Sequence, residues 1–199
     1  MPTLYDYCDS GNGYKARLIL ALTSQPYDYV EKDITKGETR TPEFLAINPN
    51  GRVPTLVLDD GTVLAESNAI LVYLAEGSAY WPEDKLSRAQ VLQWMFFEQY
   101  SHEPYVATPR FILRHLPPDH PRQDELKDRW KQGYAALSVM ESQLAKTPYL
   151  AGQIMTVADI ALFAYTHRAD EAGLNLETYP AIRAWIQRIQ ETPGFVSML

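Results

Sequence analysis

Asp59-Asp60-Gly61 stands between two short runs of strand-forming residues, Val53 to Leu58 and Thr62 to Leu64. An Asp-Gly pair in that setting is a strong hairpin signal, because glycine supplies the positive φ that such turns need. The second run leads into Ser67, a residue type that favours helix starts, and helical apolar spacing continues to about Ala75. A strand–turn–strand–helix unit is stable only against further strands and helices. The preceding residues supply them. Thr3 to Tyr7 predicts an aromatic-rich strand, and Asn12 is placed to cap a helix running from Tyr14 to Thr23. Tyr27 to Ile34 predicts a second strand. Thr41-Pro42 marks a helix start with proline in its first turn, and that helix must stop before Pro49. The predicted order is βαβαββα.

The remainder has a different grammar. Gly77 to Asp84 is rich in Gly, Ser, Pro and acids and predicts a linker. Beyond it, Leu126, Trp130, Tyr134, Leu137, Met140 and Leu144 recur every three or four residues, as one face of a helix does. Thr156-Val157-Ala158-Asp159 is a capping box with Asp in place of Glu or Gln. Pro180, Ile182, Trp185, Ile186 and Ile189 predict another amphipathic helix. The expected domains are an α/β domain over residues 1–77, a linker over 78–84 and an all-α helical domain over 85–199.

Composition narrows the function classes. The net charge of −7 argues against non-specific nucleic-acid binding, which needs a basic footprint. Cys8 is the sole cysteine, so no internal disulfide can form and nothing points to an oxidising compartment. No apolar stretch approaches membrane length. A cytoplasmic protein is expected. The histidines at 102, 115, 120 and 167 lack ligand spacing, so no metal is expected.

Two segments carry binding chemistry. Backbone groups beside Val53-Pro54 suit a peptide held in a strand-like pose. Ser67, at a helix head, suits a carboxylate, and Glu66 beside it suits an ammonium. A ligand with a peptide backbone, a free carboxylate and a free amine fits the set, and glutathione is one.

The motifs Leu4 to Asn12, Asn48 to Leu56, Glu66 to Ile70 and Gly152 to Asp159 occur in order at family separations. On these the chain resembles the cytosolic glutathione transferases, nearest in pattern to the bacterial serine-type zeta and theta-like classes. The resemblance covers essentially the whole chain. It implies a thioredoxin-like βαβαββα domain followed by a helical bundle, with glutathione as co-substrate. The thiol-activating group then falls in Ser10-Gly11-Asn12. A thiol of pKa about 8.5 is a poor nucleophile near pH 7. A hydroxyl hydrogen bond and a helix N-terminus favour its thiolate. Ser10 is the first choice of donor, with the Gly11 N–H and the Asn12 side chain as alternatives; capping the first helix is the plain structural role of Ser10 and Asn12. The zeta pattern carries a second serine and a cysteine at positions 11 and 12, so zeta-type isomerase chemistry is not implied.

The resemblance further implies a cis Val53-Pro54 bond beside the cysteinyl backbone, with Glu66 and Ser67 on the γ-glutamyl end. Arg52, or less strongly Lys36, would reach the glycyl carboxylate, and Arg17 would pair with a carboxylate or support the activating loop. Cys8 lies two residues before the position used by cysteine-type relatives and forms no Cys-x-x-Cys pair, so it is read as structural. The helical domain would contribute the site of a small-molecule electrophile, with Tyr100, Tyr105, Arg110 and Phe111 as pocket candidates. Pro104 and Pro109 should kink or break that aromatic-rich segment, residues 89–116. A homodimer active in detoxification is implied. The alternatives are a glutathione-dependent disulfide or peroxide reductase and a non-catalytic interaction module.

Overall fold

The computed structural model describes residues 1–198. The chain divides into two compact units. The first holds residues 1–78 together with residues 193–198, and the second holds Ala79–Thr192.

The first unit has the predicted order. Strand β1 spans Thr3–Asp6, helix α1 Gly11–Leu22, strand β2 Asp28–Glu31 and helix α2 Pro42–Ile47. Strand β3 spans Thr55–Val57, β4 Val63–Ala65 and helix α3 Ser67–Ala75. The sheet order is β2-β1-β3-β4. β1 runs parallel to β2 and antiparallel to β3, with Leu4 opposite both Tyr29 and Leu56. Helices α1 and α3 pack together, and Leu18, Ile19, Ile70 and Leu71 are buried along with Leu4 and Leu56. Each such side chain contributes roughly 1.5–3 kcal/mol of burial energy.

Three boundaries differ from expectation for local reasons. β2 stops at Glu31 because Asp33 opens a 3₁₀ turn, its carboxylate accepting from Thr35 N–H at 2.9 Å. β3 begins at Thr55 because Pro54 has no N–H to give a ladder. Helix α1 begins at Gly11 and is capped by Ser10, not Asn12. Ser10 has extended backbone angles, and its Oγ accepts from Gly13 N–H at 3.2 Å. Asn12 is thus already helical.

Residues 193–198 close the first unit. Tyr14 Oη, at the foot of a buried ring, donates to Val196 O at 2.6 Å.

In the second unit the expected linker is structured from Ala79 on. Tyr80 O accepts from Val157 N–H at 3.0 Å, and Arg88 lies over the buried Trp81 ring and donates to Pro82 O. Helix α4 spans Lys85–Phe97, a π turn follows over Glu98–His102, and α5 spans Glu103–His115. Pro104 sits in the first turn of α5, while Pro109 lies inside it without ending it. Proline at 109 gives no hydrogen to Tyr105 O one turn back. Helix α6, Leu126–Leu144, meets that carbonyl with a glycine: a β-carbon on Gly133 would stand 2.9 Å from Tyr105 O.

Helix α7, Val157–Thr166, is buried along its whole length, and α8 spans Pro180–Gln190. The capping box of Thr156 and Asp159 is formed. The Asp159 carboxylate also accepts from Leu150 N–H and from Trp185 Nε1, each at 2.9 Å, which fixes α8 and the preceding loop to the head of α7.

Candidate active site

The first strand ends on a buried acid. Asp6 accepts from Tyr7 N–H at 2.7 Å through Oδ1 and from Arg17 Nε at 2.9 Å through Oδ2. Arg17 also donates to Cys8 O at 2.7 Å. One guanidinium therefore ties α1 to the loop that precedes Ser10. Burial pushes the Asp6 carboxyl up to about 7 against the pull of Arg17. The Cys8 thiol is also pushed up, first by burial and then by its bond with Glu31, so it is a weaker nucleophile than an ordinary cysteine. At the loop's end the Ser10 hydroxyl accepts from Gly13 N–H and retains its own hydrogen to donate.

The head of α3 lies beside the head of α1. Glu66 is exposed and holds φ 69 and ψ 112, an uncommon region for a residue with a side chain. It occupies the cap position but makes no side-chain cap bond. Ser67 is the first helical residue rather than the cap. Its buried hydroxyl donates to Asn12 Oδ1 at 3.2 Å and accepts from Lys15 Nζ at 3.3 Å. Lys15 is wholly buried and donates to Asn68 Oδ1 as well.

The third element is the loop before β3. The Val53-Pro54 peptide is cis. Buried Asn48 organises the turn, donating from Nδ2 to Arg52 O at 3.0 Å and Thr55 Oγ1 at 2.9 Å. Its Oδ1 accepts from Asn50 N–H at 3.0 Å. Gly51, at φ 60, passes close to Thr39 O and Arg40, where a β-carbon would not fit. Arg52 projects to solvent. Lys36 is engaged with Asp33 at 2.9 Å on the surface.

Two family models match the chain. The glutathione S-transferase N-terminal domain matches residues 2–76, and the C-terminal domain matches residues 93–193. The chain belongs to the glutathione S-transferase family. A crystal structure of a glutathione S-transferase from Pseudomonas fluorescens superposes with a TM-score of 0.96 at 53% identity, over 100% of this chain and 98% of that one. The disulfide-bond oxidoreductase YfcG of Escherichia coli is 30% identical over 94% of this chain and 90% of its own length. The glutathione transferase URE2P6 of Phanerochaete chrysosporium, solved with oxidised glutathione, has a TM-score of 0.87 at 28% identity, over 97% of this chain and 92% of that one.

In the helical unit the pocket candidates occupy distinct settings. Tyr100 lies on the π turn and is 84% exposed. Tyr105 and Phe111 on α5 are half-buried, and Phe111 lies against His115 with ring centroids 5.1 Å apart. Arg110 is buried and bonded to Glu171 at 2.6 Å, an acid that also meets Arg114 and Arg168. That pairing ties α5 to the Asp170–Ala172 turn within the unit. Among the described residues no cluster of three or more His, Cys, Asp or Glu could hold a metal ion, and no helix is long and apolar enough to cross a membrane.

Asp6, Gly13, Lys15 and Asn48 are site residues for which the sequence alone predicts no role. Asp6 and Asn48 lie inside the motifs Leu4 to Asn12 and Asn48 to Leu56, whereas Gly13 and Lys15 lie three and five residues beyond Ser10, past the end of the first.

Proposed function

We propose that this chain binds reduced glutathione and stabilises its thiolate for attack on a small-molecule electrophile. The observation that carries the reading is the 3.2 Å bond from Ser67 Oγ to Asn12 Oδ1. It brings the carboxylate-binding candidate on α3 against the thiol-activating candidates on α1, the two ends that one extended tripeptide would span. Glu66 and Ser67 would take the γ-glutamyl end, Val53 and Pro54 the cysteinyl backbone, and Arg52 the glycyl carboxylate. The sulfur would then lie at the head of α1, where the Ser10 hydroxyl, the Gly11 N–H and the helix N-terminus favour a thiolate. A shift of roughly two units corresponds to about 2.7 kcal/mol. The thiolate forms a C–S bond and the leaving group departs with the electron pair of the bond it breaks. In this reading the enzyme is serine-type, a cytoplasmic homodimer of a detoxifying kind, and its helical unit supplies Tyr100, Tyr105, Arg110 and Phe111 to the electrophile side.

A second reading is favoured by Asn12 and by the likeness to YfcG and URE2P6. Here the thiolate attacks a disulfide, forms a mixed disulfide and expels a thiol, and a second glutathione resolves it.

Thiolate absorbance of bound glutathione, followed against pH in wild type, Ser10→Ala and Asn12→Ala, tests the site. A lowered thiol pKa lost in Ser10→Ala supports the serine-type reading, and loss only in Asn12→Ala moves the role to Asn12. Turnover of a chlorodinitro-aromatic against a small disulfide separates the two enzymes. No binding at millimolar glutathione overturns both and leaves an interaction module.

A further inference from the structure

Lys15 is a fully buried cation whose Nζ stands 3.3 Å from both Ser67 Oγ and Asn68 Oδ1. A lysine ammonium has three donors and no acceptor. Ser67 Oγ must therefore accept in that pair. The hydroxyl has one hydrogen, and it goes to Asn12 Oδ1 at 3.2 Å. The three side chains form a one-way chain, Lys15 to Ser67 to Asn12, linking the inner face of α1, the head of α3 and the first turn of α1.

We propose that Lys15 is the positioning residue that selects a ligand with a free α-carboxylate at Ser67. This rests on the glutathione reading above. By occupying a lone pair of Ser67, the ammonium turns the Ser67 hydrogen away from itself and makes the hydroxyl an obligate donor. The positive charge behind the oxygen also strengthens the O–H as a donor. Ser67 can then give its hydrogen to Asn12 Oδ1 or to a ligand. An ionised carboxylate accepts more strongly than an amide carbonyl, so it displaces Asn12. A ligand without that carboxylate does not. Recognition of the amino-acid end of the tripeptide is thereby coupled to the residue that borders its thiol. A lysine serving only to fill space would give no such selectivity.

The test is a binding cycle by calorimetry. The ligands are glutathione and 4-aminobutyryl-cysteinyl-glycine, which is the same peptide without the α-carboxylate. The proteins are wild type, Lys15→Met, Ser67→Ala and the double variant, each checked for folding by thermal melting. Wild type is expected to prefer glutathione roughly tenfold or more. Lys15→Met should lose most of that preference while binding the analogue as wild type does. The double variant should bind glutathione no worse than Ser67→Ala, because Lys15 acts through Ser67. Equal weakening toward both ligands in Lys15→Met, or losses that add in the double variant, overturns the proposal while the glutathione reading stands. Absence of glutathione binding by wild type overturns both. Should Lys15→Met not fold, Lys15→Leu, which likewise removes both the donor and the charge, carries the same cycle and the same outcomes.

Discussion

The α-carbon of Gly13 faces the carboxyl group of Asp6 so closely that a β-carbon on Gly13 would stand 1.5 Å from Asp6 Oδ1 and 2.1 Å from its Cγ. No side chain fits there while Asp6 keeps its place. Gly13→Ala should expel the Asp6 carboxyl and break its bonds to Tyr7 N–H and Arg17. The expected loss is about 3 kcal/mol or more, from overpacking plus buried donors left unpaired. Urea denaturation reads it, and a variant within about 1 kcal/mol of wild type would mean that the contact yields cheaply.

Asp6 should also leave a signature in stability against pH. Its folded value of about 7 lies above its ordinary value of 3.8, so between those values the folded state holds the proton more tightly than the unfolded state. Its contribution is full below about pH 4 and is lost as the pH rises through about 7. Asp6→Asn cannot titrate. The stability advantage of wild type over Asp6→Asn should therefore be greatest near pH 4 and shrink toward pH 7. A difference that stays constant, or grows with pH, contradicts the buried-acid assignment.

At the head of α7, Asp159 does more than cap. It accepts from the N–H groups of Leu150 and Thr156, from the Thr156 hydroxyl and from Trp185 Nε1. An ordinary cap is worth about 1 kcal/mol. Asp159→Ala leaves several buried donors unpaired at roughly 1–3 kcal/mol each, so the loss should exceed about 3 kcal/mol. Thermal or urea unfolding measures it, and a cap-sized loss would show that water reaches those donors.

Arg52 is exposed, and on the proposed reading it meets the glycyl carboxylate of glutathione. Exposed ion pairs contribute about 1 kcal/mol or less. Arg52→Ala should raise the Kd for glutathione no more than about fivefold, with the effect fading in 1 M salt, where screening acts within about 3 Å. A larger, salt-resistant loss would contradict the pairing of an exposed Arg52 with that carboxylate, since the loop bonds to the Arg52 carbonyl survive in the alanine variant.

What could be read from the chain was what lies close along it. The start of α3 at Ser67, its end at Ala75, the Thr41-Pro42 start and the Thr156–Asp159 box each depend on a few neighbouring residues, and each formed as expected. Ser10 and Asn12 were both sensible caps, and only the backbone angles at Ser10 decided between them. Contacts between distant residues were not legible. Lys15 meets Ser67 across 52 positions, and nothing local distinguishes a lysine that snorkels to solvent from one turned inward. Gly13 gave no turn signal either, since its absent side chain serves the close approach of Asp6.

The bond from Tyr14 to Val196 O makes the order of the chain matter as well as its contacts. The residues that complete the α/β unit are specified after all of Ala79–Thr192, so the helical unit is topologically an insertion within its neighbour. During synthesis the buried ring of Tyr14 cannot find this acceptor until every residue of the helical unit has left the ribosome. A nascent chain stalled after α3 would hold the sheet, both packed helices and the candidate glutathione-binding residues, but would lack this closing strap. The unit translated first is thus the last to be finished.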